Sequence, residues 1–221
     1  MTAPDDPARA SRLDATAQAW PDAPFARVVV VGCSGSGKST FARALATALD
    51  APWVHLDALY WAPRWQPRPE AEFLRLTDEA TAGPAWVVDG NYRRVRSVVW
   101  PRATTVVWLD FGFPRVFDRV VARTVRRLWT GEVLFSGNRE SLRTSFLSRD
   151  SIIWWTITQF RRYRREYAAL MRDDTTAHLT WHALRRPREA EALLRTLGAD
   201  PDGRHRGSRQ SSVASERQQP R

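Results

Sequence analysis

The chain has 221 residues, of which 43% are hydrophobic and 26% charged; this suffices for one packed domain and excludes a chain too polar to fold. Its single cysteine, Cys33, excludes an internal disulfide framework, and no run approaches the ~18 apolar residues of a membrane span. The net charge of +10 is uneven: residues 93–165 hold sixteen arginines against five acids, so everything else sums to −1. A basic stretch of this kind attracts phosphates, on a nucleotide or on nucleic acid, although many of its arginines could equally form a solvated face.

Residues 1–24 are rich in Ala, Asp and Pro without a period and are expected to form a flexible arm. They lack the basic start and apolar run of a signal peptide, which with the reduced cysteine predicts a cytoplasmic protein. RVVVVG (27–32) reads as a buried strand, and KSTFARALATAL (38–49) as a helix with Phe41, Leu45 and Leu49 on one face. WVHLD (53–57) reads as a short strand, WAPRWQPRP (61–69) as a proline-broken loop, and EAEFLRLTDEATAG (70–83) as a helix. AWVVDG (85–90) and TTVVWLD (104–110) are two further buried strands ending in aspartate. PRVFDRVVARTVRRLW (114–129) is a helix with proline in its first turn. A lid region is expected at about 129–150, then a long helix at about 151–172. AHLTWHAL (177–184) and PREAEALLRTL (187–197) give a last strand and helix, and residues 199–221 a disordered basic tail.

Alternation of strands and helices predicts an α/β domain over 25–198, with a mainly parallel sheet of about five strands covered on both faces. Ligands of such sheets bind beyond the carboxyl ends of the strands. Asp57, Asp89, Asp110 and the loop after the first strand all fall on that edge.

That loop, Gly32-Cys-Ser-Gly-Ser-Gly37-Lys38-Ser39, fits the phosphate-binding pattern in full, between a strand and a helix. Its glycines let backbone N–H groups converge on phosphate oxygens, and the helix N-terminus adds a positive end. Lys38 is the only lysine in the chain. A compact point charge must reach the β- and γ-phosphates, and a planar guanidinium is the wrong shape for it. The loop therefore predicts ATP as ligand, held by Gly32, Ser34, Gly35, Ser36, Gly37, Lys38, Ser39 and Thr40, with Mg²⁺ on Ser39. The fold expected is the three-layer P-loop NTPase fold with a small helical lid. Cys33, inside the loop, reads as a small filler.

An Asn-Lys-x-Asp guanine reader is impossible with one lysine, and a Leu-Ser-Gly-Gly transporter signature is absent. VVDGNYRR (87–94) is similar to the Asp-Gly-Phe-Pro-Arg stretch of adenylate kinases, and RTVRR (123–127) to the start of their lid. HLDALYW, WVVDGNY, VVWLD and SGNRES, in that order over residues 27 to about 185, resemble the adenylate kinase-like or "DNA topology modulation" proteins of the nucleoside monophosphate kinase group. The resemblance implies phosphoryl transfer to a small-molecule acceptor. The proline and phenylalanine of the adenylate kinase stretch are missing, so AMP is not implied.

A hydrophobic strand ending in aspartate describes both Asp89 and Asp110 as the metal-side carboxylate; Gly90 after Asp89, as in the resembling kinases, favours Asp89. On the helix at 114–129, Arg119, Arg123 and Arg127 form a line along one border of an apolar arc of Phe117, Val120, Val121, Thr124 and Leu128. Placed there, Arg123 and Arg127 neutralise charge on the transferred group. Asp57 resembles the aspartate with which sugar and shikimate kinases bind an acceptor hydroxyl; a turn aspartate is the alternative. Arg93 and Arg94 are candidates for gripping the acceptor, and Asn138 and Arg139 for the lid.

In the helix at 151–172, with Ile153 at 0°, Ile157, Phe160, Tyr167 and Met171 form an apolar arc, and Arg164 falls inside it at about 20°. A charge there needs a partner. The transferred phosphate is one, with Arg161 as substitute, and a core-facing acid is the other. Eleven tryptophans among the arginines keep a nucleic-acid-associated ATPase as the second function, since aromatics stack on bases. Trp86, Trp100 and Trp108 read instead as core, and Trp61 and Trp65 as neighbours of the acceptor.

Overall fold

Four consecutive valines, Val28–Val31, are each no more than 2% exposed in the centre of a sheet. Their branched Cβ atoms suit extended backbone, and their lack of alternation marks a strand buried on both faces. The computed structural model describes residues 24–130, 137 and 152–198. In chain order these form β1 (Arg27–Gly32), α1 (Lys38–Ala48), β2 (Trp53–His55), α2 (Leu56–Tyr60), β3 (Trp61–Ala62), β4 (Gln66–Pro67), α3 (Glu70–Ala80) and β5 (Trp86–Asp89). There follow α4 (Arg96–Val99), β6 (Thr105–Leu109), α5 (Phe113–Thr130), α6 (Ile152–Leu170), β7 (Thr180–Leu184) and α7 (Pro187–Thr196).

Five strands pair in the order β2-β5-β1-β6-β7, all parallel, as the alternating sequence predicts. The register sets Val30 beside Asp89 on one side of β1 and Gly32 beside Leu109 on the other. Two cores sandwich this sheet. Val28, Val30, Val107 and Leu109 pack with Phe41 and Leu45 of α1 and Leu194 of α7. Val29, Val31, Val106 and Trp108 pack on the opposite face with Phe73 of α3, Val99 of α4 and Tyr167 of α6. Trp86, Trp100 and Trp108 are all buried, as expected of core residues.

Three local readings are corrected and one element is added. The strand expected at 53–57 stops at His55, so Asp57 lies in the first turn of α2. The loop at 61–69 carries a two-residue antiparallel ribbon, β3 with β4. Its turn is closed by Arg64 and Trp65, both at positive φ. Arg93–Arg102, for which the sequence reading assigns no element, winds into helical turns around α4. The last strand begins at Thr180, because Asp173 turns the preceding residues by accepting from the Thr175 N–H at 2.9 Å. The expected arm, most of the lid region and the basic tail lie outside the described residues.

Candidate active site

The loop between β1 and α1 is built as its glycines predict. Gly37 takes φ 88° at the N-terminal cap of α1, a left-handed conformation open to glycine at little cost. A Cβ at Gly35 would meet the Val116 carbonyl oxygen and Val120 Cγ2 at 2.5 Å, so only a hydrogen fits between loop and α5. The Ser36 N–H donates to the Cys33 carbonyl at 3.1 Å and closes the turn. Ser34 and Ser36 are buried, and the Ser36 hydroxyl has no hydrogen-bond partner among the described residues. Cys33 packs into the α1-side core, and burial raises its thiol pKa, which fits a filler. Thr40, on α1, is exposed.

Cations converge on this cradle. Lys38 is half-buried and has no hydrogen-bond or ion-pair partner among the described residues. Arg119 donates to the Ser36 carbonyl at 3.4 Å, and Arg123 to the Ser34 hydroxyl at 3.0 Å. The buried face of α5 is centred on Val116, Val120 and Thr124, whereas Phe117 and Val121 are only half-buried. With Val116 at 0°, Arg123 falls at about −20° and Arg127 at about 20°. The arginine line starts at the border of the packed face and runs into it: Arg119 is exposed, whereas Arg123 and Arg127 are half-buried.

At the other side of the loop the Ser39 hydroxyl donates to Asp89 Oδ2 at 2.5 Å. Asp89 is fully buried; Trp53 Nε1 donates to its Oδ1 at 2.9 Å, and His55 Nδ1 lies 2.8 Å from the same oxygen. Burial pushes the Asp89 carboxyl up, but the hydrogen bonds and charges of His55, Ser39 and Lys38 outweigh it and hold its pKa below the usual range. Among the described residues no cluster of three or more His, Cys, Asp or Glu could hold a metal alone. A hydroxyl and one buried carboxylate beside a phosphate cradle fit Mg²⁺, which takes few protein ligands and completes its shell with phosphate and water.

Three residues that the sequence reading missed organise this edge. Asn91 Nδ2 donates to the Gly32 carbonyl at 2.7 Å, and its Oδ1 accepts from the Gly32 N–H at 3.3 Å and from the Tyr167 hydroxyl at 3.0 Å. His55 is brought to Asp89 by the β2–β5 register, which pairs the two residues directly. Only the pairing of two strands separated by more than thirty residues places it there, so no local pattern announces it. Asp57, half-buried, accepts from the Tyr92 hydroxyl at 2.7 Å, and burial followed by the Asp57 charge raises the Tyr92 pKa far above its ordinary value. Tyr92 also joins a ring cluster with Tyr60 and Phe73, and Trp61 and Trp65 extend it.

Other arginines of the basic stretch are ion-paired within the protein, while Arg115, Arg161, Arg162 and Arg165 are exposed. Arg93 pairs with Glu166 at 2.5 Å, Arg96 with the same carboxylate at 2.7 Å, and Arg94 with Glu70 at 3.6 Å. Arg164 is ion-paired with Asp110: Nη2 donates to Oδ2 at 2.9 Å, and Nε lies 2.6 Å from Oδ1, which has no hydrogen-bond partner among the described residues. Of the two partners the helical phase allowed, the structure supplies the acid. Thr156, Phe160 and Tyr167 are buried while Ile157 and Met171 are exposed. The packed face of α6 therefore centres near 310° rather than 0°, and Arg164 sits on its rim.

No family model matches the chain, and no curated protein matches it. Solved structures similar to it include a gluconokinase from Sinorhizobium meliloti 1021, at 20% identity over 79% of this chain and 95% of that one, with a TM-score of 0.44. A sugar kinase from Janibacter sp. HTCC2649 matches at 19% identity over 81% and 98%, with a TM-score of 0.44. A shikimate kinase from Acinetobacter baumannii, in complex with shikimate, matches at 17% identity over 82% and 94%, with a TM-score of 0.48. None of these three structures is described as a "DNA topology modulation" protein, so that narrower resemblance is not confirmed.

Proposed function

We propose that the chain is a kinase that transfers the ATP γ-phosphoryl group to a small-molecule hydroxyl acceptor: a nucleotide, a nucleoside or a polyol-like compound. The observation that carries this reading is the 2.5 Å hydrogen bond from Ser39 to the buried Asp89, at the end of a loop that leaves Lys38 unpaired. In this reading Ser39 and Asp89 would hold Mg²⁺, which would supply positive charge against the phosphates of the nucleotide. Lys38, Arg119 and Arg123 add positive charge where the transferred group becomes more negative, and Arg127 extends their line. Asp57 accepts the proton of the acceptor hydroxyl, and Tyr92 fixes the orientation of its carboxylate. Arg164, held by Asp110, braces α6 beside this edge instead of touching the transferred phosphate.

The basic segment does not favour the nucleic-acid alternative. Arg93, Arg94, Arg96, Arg102 and Arg164 are ion-paired within the protein, and Arg119 and Arg123 are turned onto the loop. Binding to a phosphate backbone would rest on the few other arginines left exposed, among them Arg115, Arg161, Arg162 and Arg165. The test is a screen of nucleosides, nucleotides, sugars and polyol acids for ADP release with Mg-ATP. One acceptor consumed in step with ATP is expected. ADP release that ignores every acceptor and rises with DNA would overturn the proposal.

A further inference from the structure

On the face of the sheet opposite α1, a cavity of about 240 Å³ opens beneath α6 at the carboxyl ends of β6 and β7. Trp108, Ala168, Met171 and Ala183 give it an apolar lining. Trp108 and Ala183 belong to the core layer shared with Tyr167, whereas the phosphate loop runs into α1 on the other layer. Three guanidinium groups border the cavity: Arg164 from α6, Arg172 from the turn after it, and Arg185 from the residue after β7. Asp110 is the one acid on its wall, and Arg164 is already ion-paired with it.

Arg172 and Arg185 have no side-chain hydrogen bond or ion pair among the described residues, so the cavity keeps an excess of two positive charges. Like charges brought from two separate elements to one concavity repel each other, and a bound anion relieves that repulsion. The apolar lining cannot supply that anion, but it can bury the body that carries one.

We infer that this cavity is a second ligand site, separate from the phosphate loop, for an organic anion. Arg172 and Arg185 bind its phosphate or carboxylate head, and its apolar body lies against Trp108 and Met171. Arg164 stays with Asp110 and forms the end wall. The inference does not depend on the kinase reading.

Phenyl phosphate, which joins such a head to a flat apolar body, is the probe. Calorimetric titration of the full chain compares it with inorganic phosphate and with phenol, for the parent, for Lys38→Ala and for Arg172→Ala/Arg185→Ala. Both arginines are exposed, so the double variant should melt like the parent. The expected result is phenyl phosphate binding that survives Lys38→Ala, weakens at least tenfold in the double arginine variant, and exceeds either half-ligand at least tenfold. Loss of all binding on Lys38→Ala would assign the anion to the phosphate loop and overturn the inference. So would no detectable binding to the parent, unchanged binding in the double variant, or inorganic phosphate matching phenyl phosphate.

Discussion

Asp89 and Asp110 end the two strands that flank β1, and both are buried, at 0% and 6% exposure. Their surroundings differ in kind. Asp89 faces donors that keep its charge in use: the Ser39 hydroxyl, the Trp53 indole and the His55 ring. Asp110 faces a guanidinium that hydrogen-bonds one of its oxygens and lies 2.6 Å from the other. A buried carboxylate held by dipolar donors beside a phosphate cradle remains an anion that a metal can share. One locked in an arginine ion pair is spent on structure. In the proposed reading, strand-end position alone does not define the metal-side aspartate; the partners do.

Lys38 tests the functional side of that contrast most severely. Lys38→Ala and Lys38→Arg should each lower ADP release by on the order of a thousandfold, with the melting temperature unchanged. Near-parent turnover by the arginine variant would show that a point charge is not required. Asp89→Asn should lower the rate about a hundredfold, whereas Asp110→Asn should leave it within a few-fold of the parent. A reversed order in the two rate measurements would exchange the roles of the two aspartates.

The structural side predicts stability instead of rate. Arg164→Ala leaves a buried carboxylate unpaired and should cost about 2 kcal/mol in urea unfolding, discounted because the arginine is itself 48% exposed. Added to Asp110→Asn it should cost less than the sum of the two single changes, by about 1 kcal/mol. Arg162, whose guanidinium donates to Gln159 on the solvent side of α6, should be silent when replaced by alanine.

Acid tests the Asp89 side more gently. The folded Asp89 carboxyl titrates below its unfolded value of about 3.9. Its contribution to stability is therefore complete above about pH 4 and is lost as the pH falls through the lower folded value. Melting temperatures measured from pH 6 down to 3 should decline less steeply for Asp89→Asn than for the parent. Parallel curves would remove Asp89 as a source of acid lability.

Much of the fold was legible because its signals are local. Four valines before a glycine loop, proline at the start of PREAEALLRTL and Phe41 with Leu45 on one face each settle an element without distant information. The phosphate loop was legible for the same reason, its chemistry being written in eight consecutive residues. What escaped depends on pairing. His55 reaches Asp89 only through the strand register, and Asn91 reaches Gly32 only because β5 lies beside β1. The phase of α6 was misjudged because exposed Ile157 and Met171 were counted as core. An apolar side chain at the surface carries little information, whereas buried Thr156 shows where the helix packs. The choice between Asp89 and Asp110 was open for a related reason, since both have the same local sequence form.

The Asn91 side chain has one more consequence. The β1–β5 ladder pairs Val30 with Asp89 and closes with a Gly90 N–H donating to the Val30 carbonyl at 3.4 Å. Beyond that point the two backbones part, yet the Asn91 amide meets both the N–H and the carbonyl of Gly32. One carboxamide thus stands in for a missing strand residue, as a shim fills the gap where two planks diverge. The sheet splits at this seam without leaving the Gly32 peptide groups bare, so the cleft that a nucleotide would enter is opened at no loss of main-chain pairing.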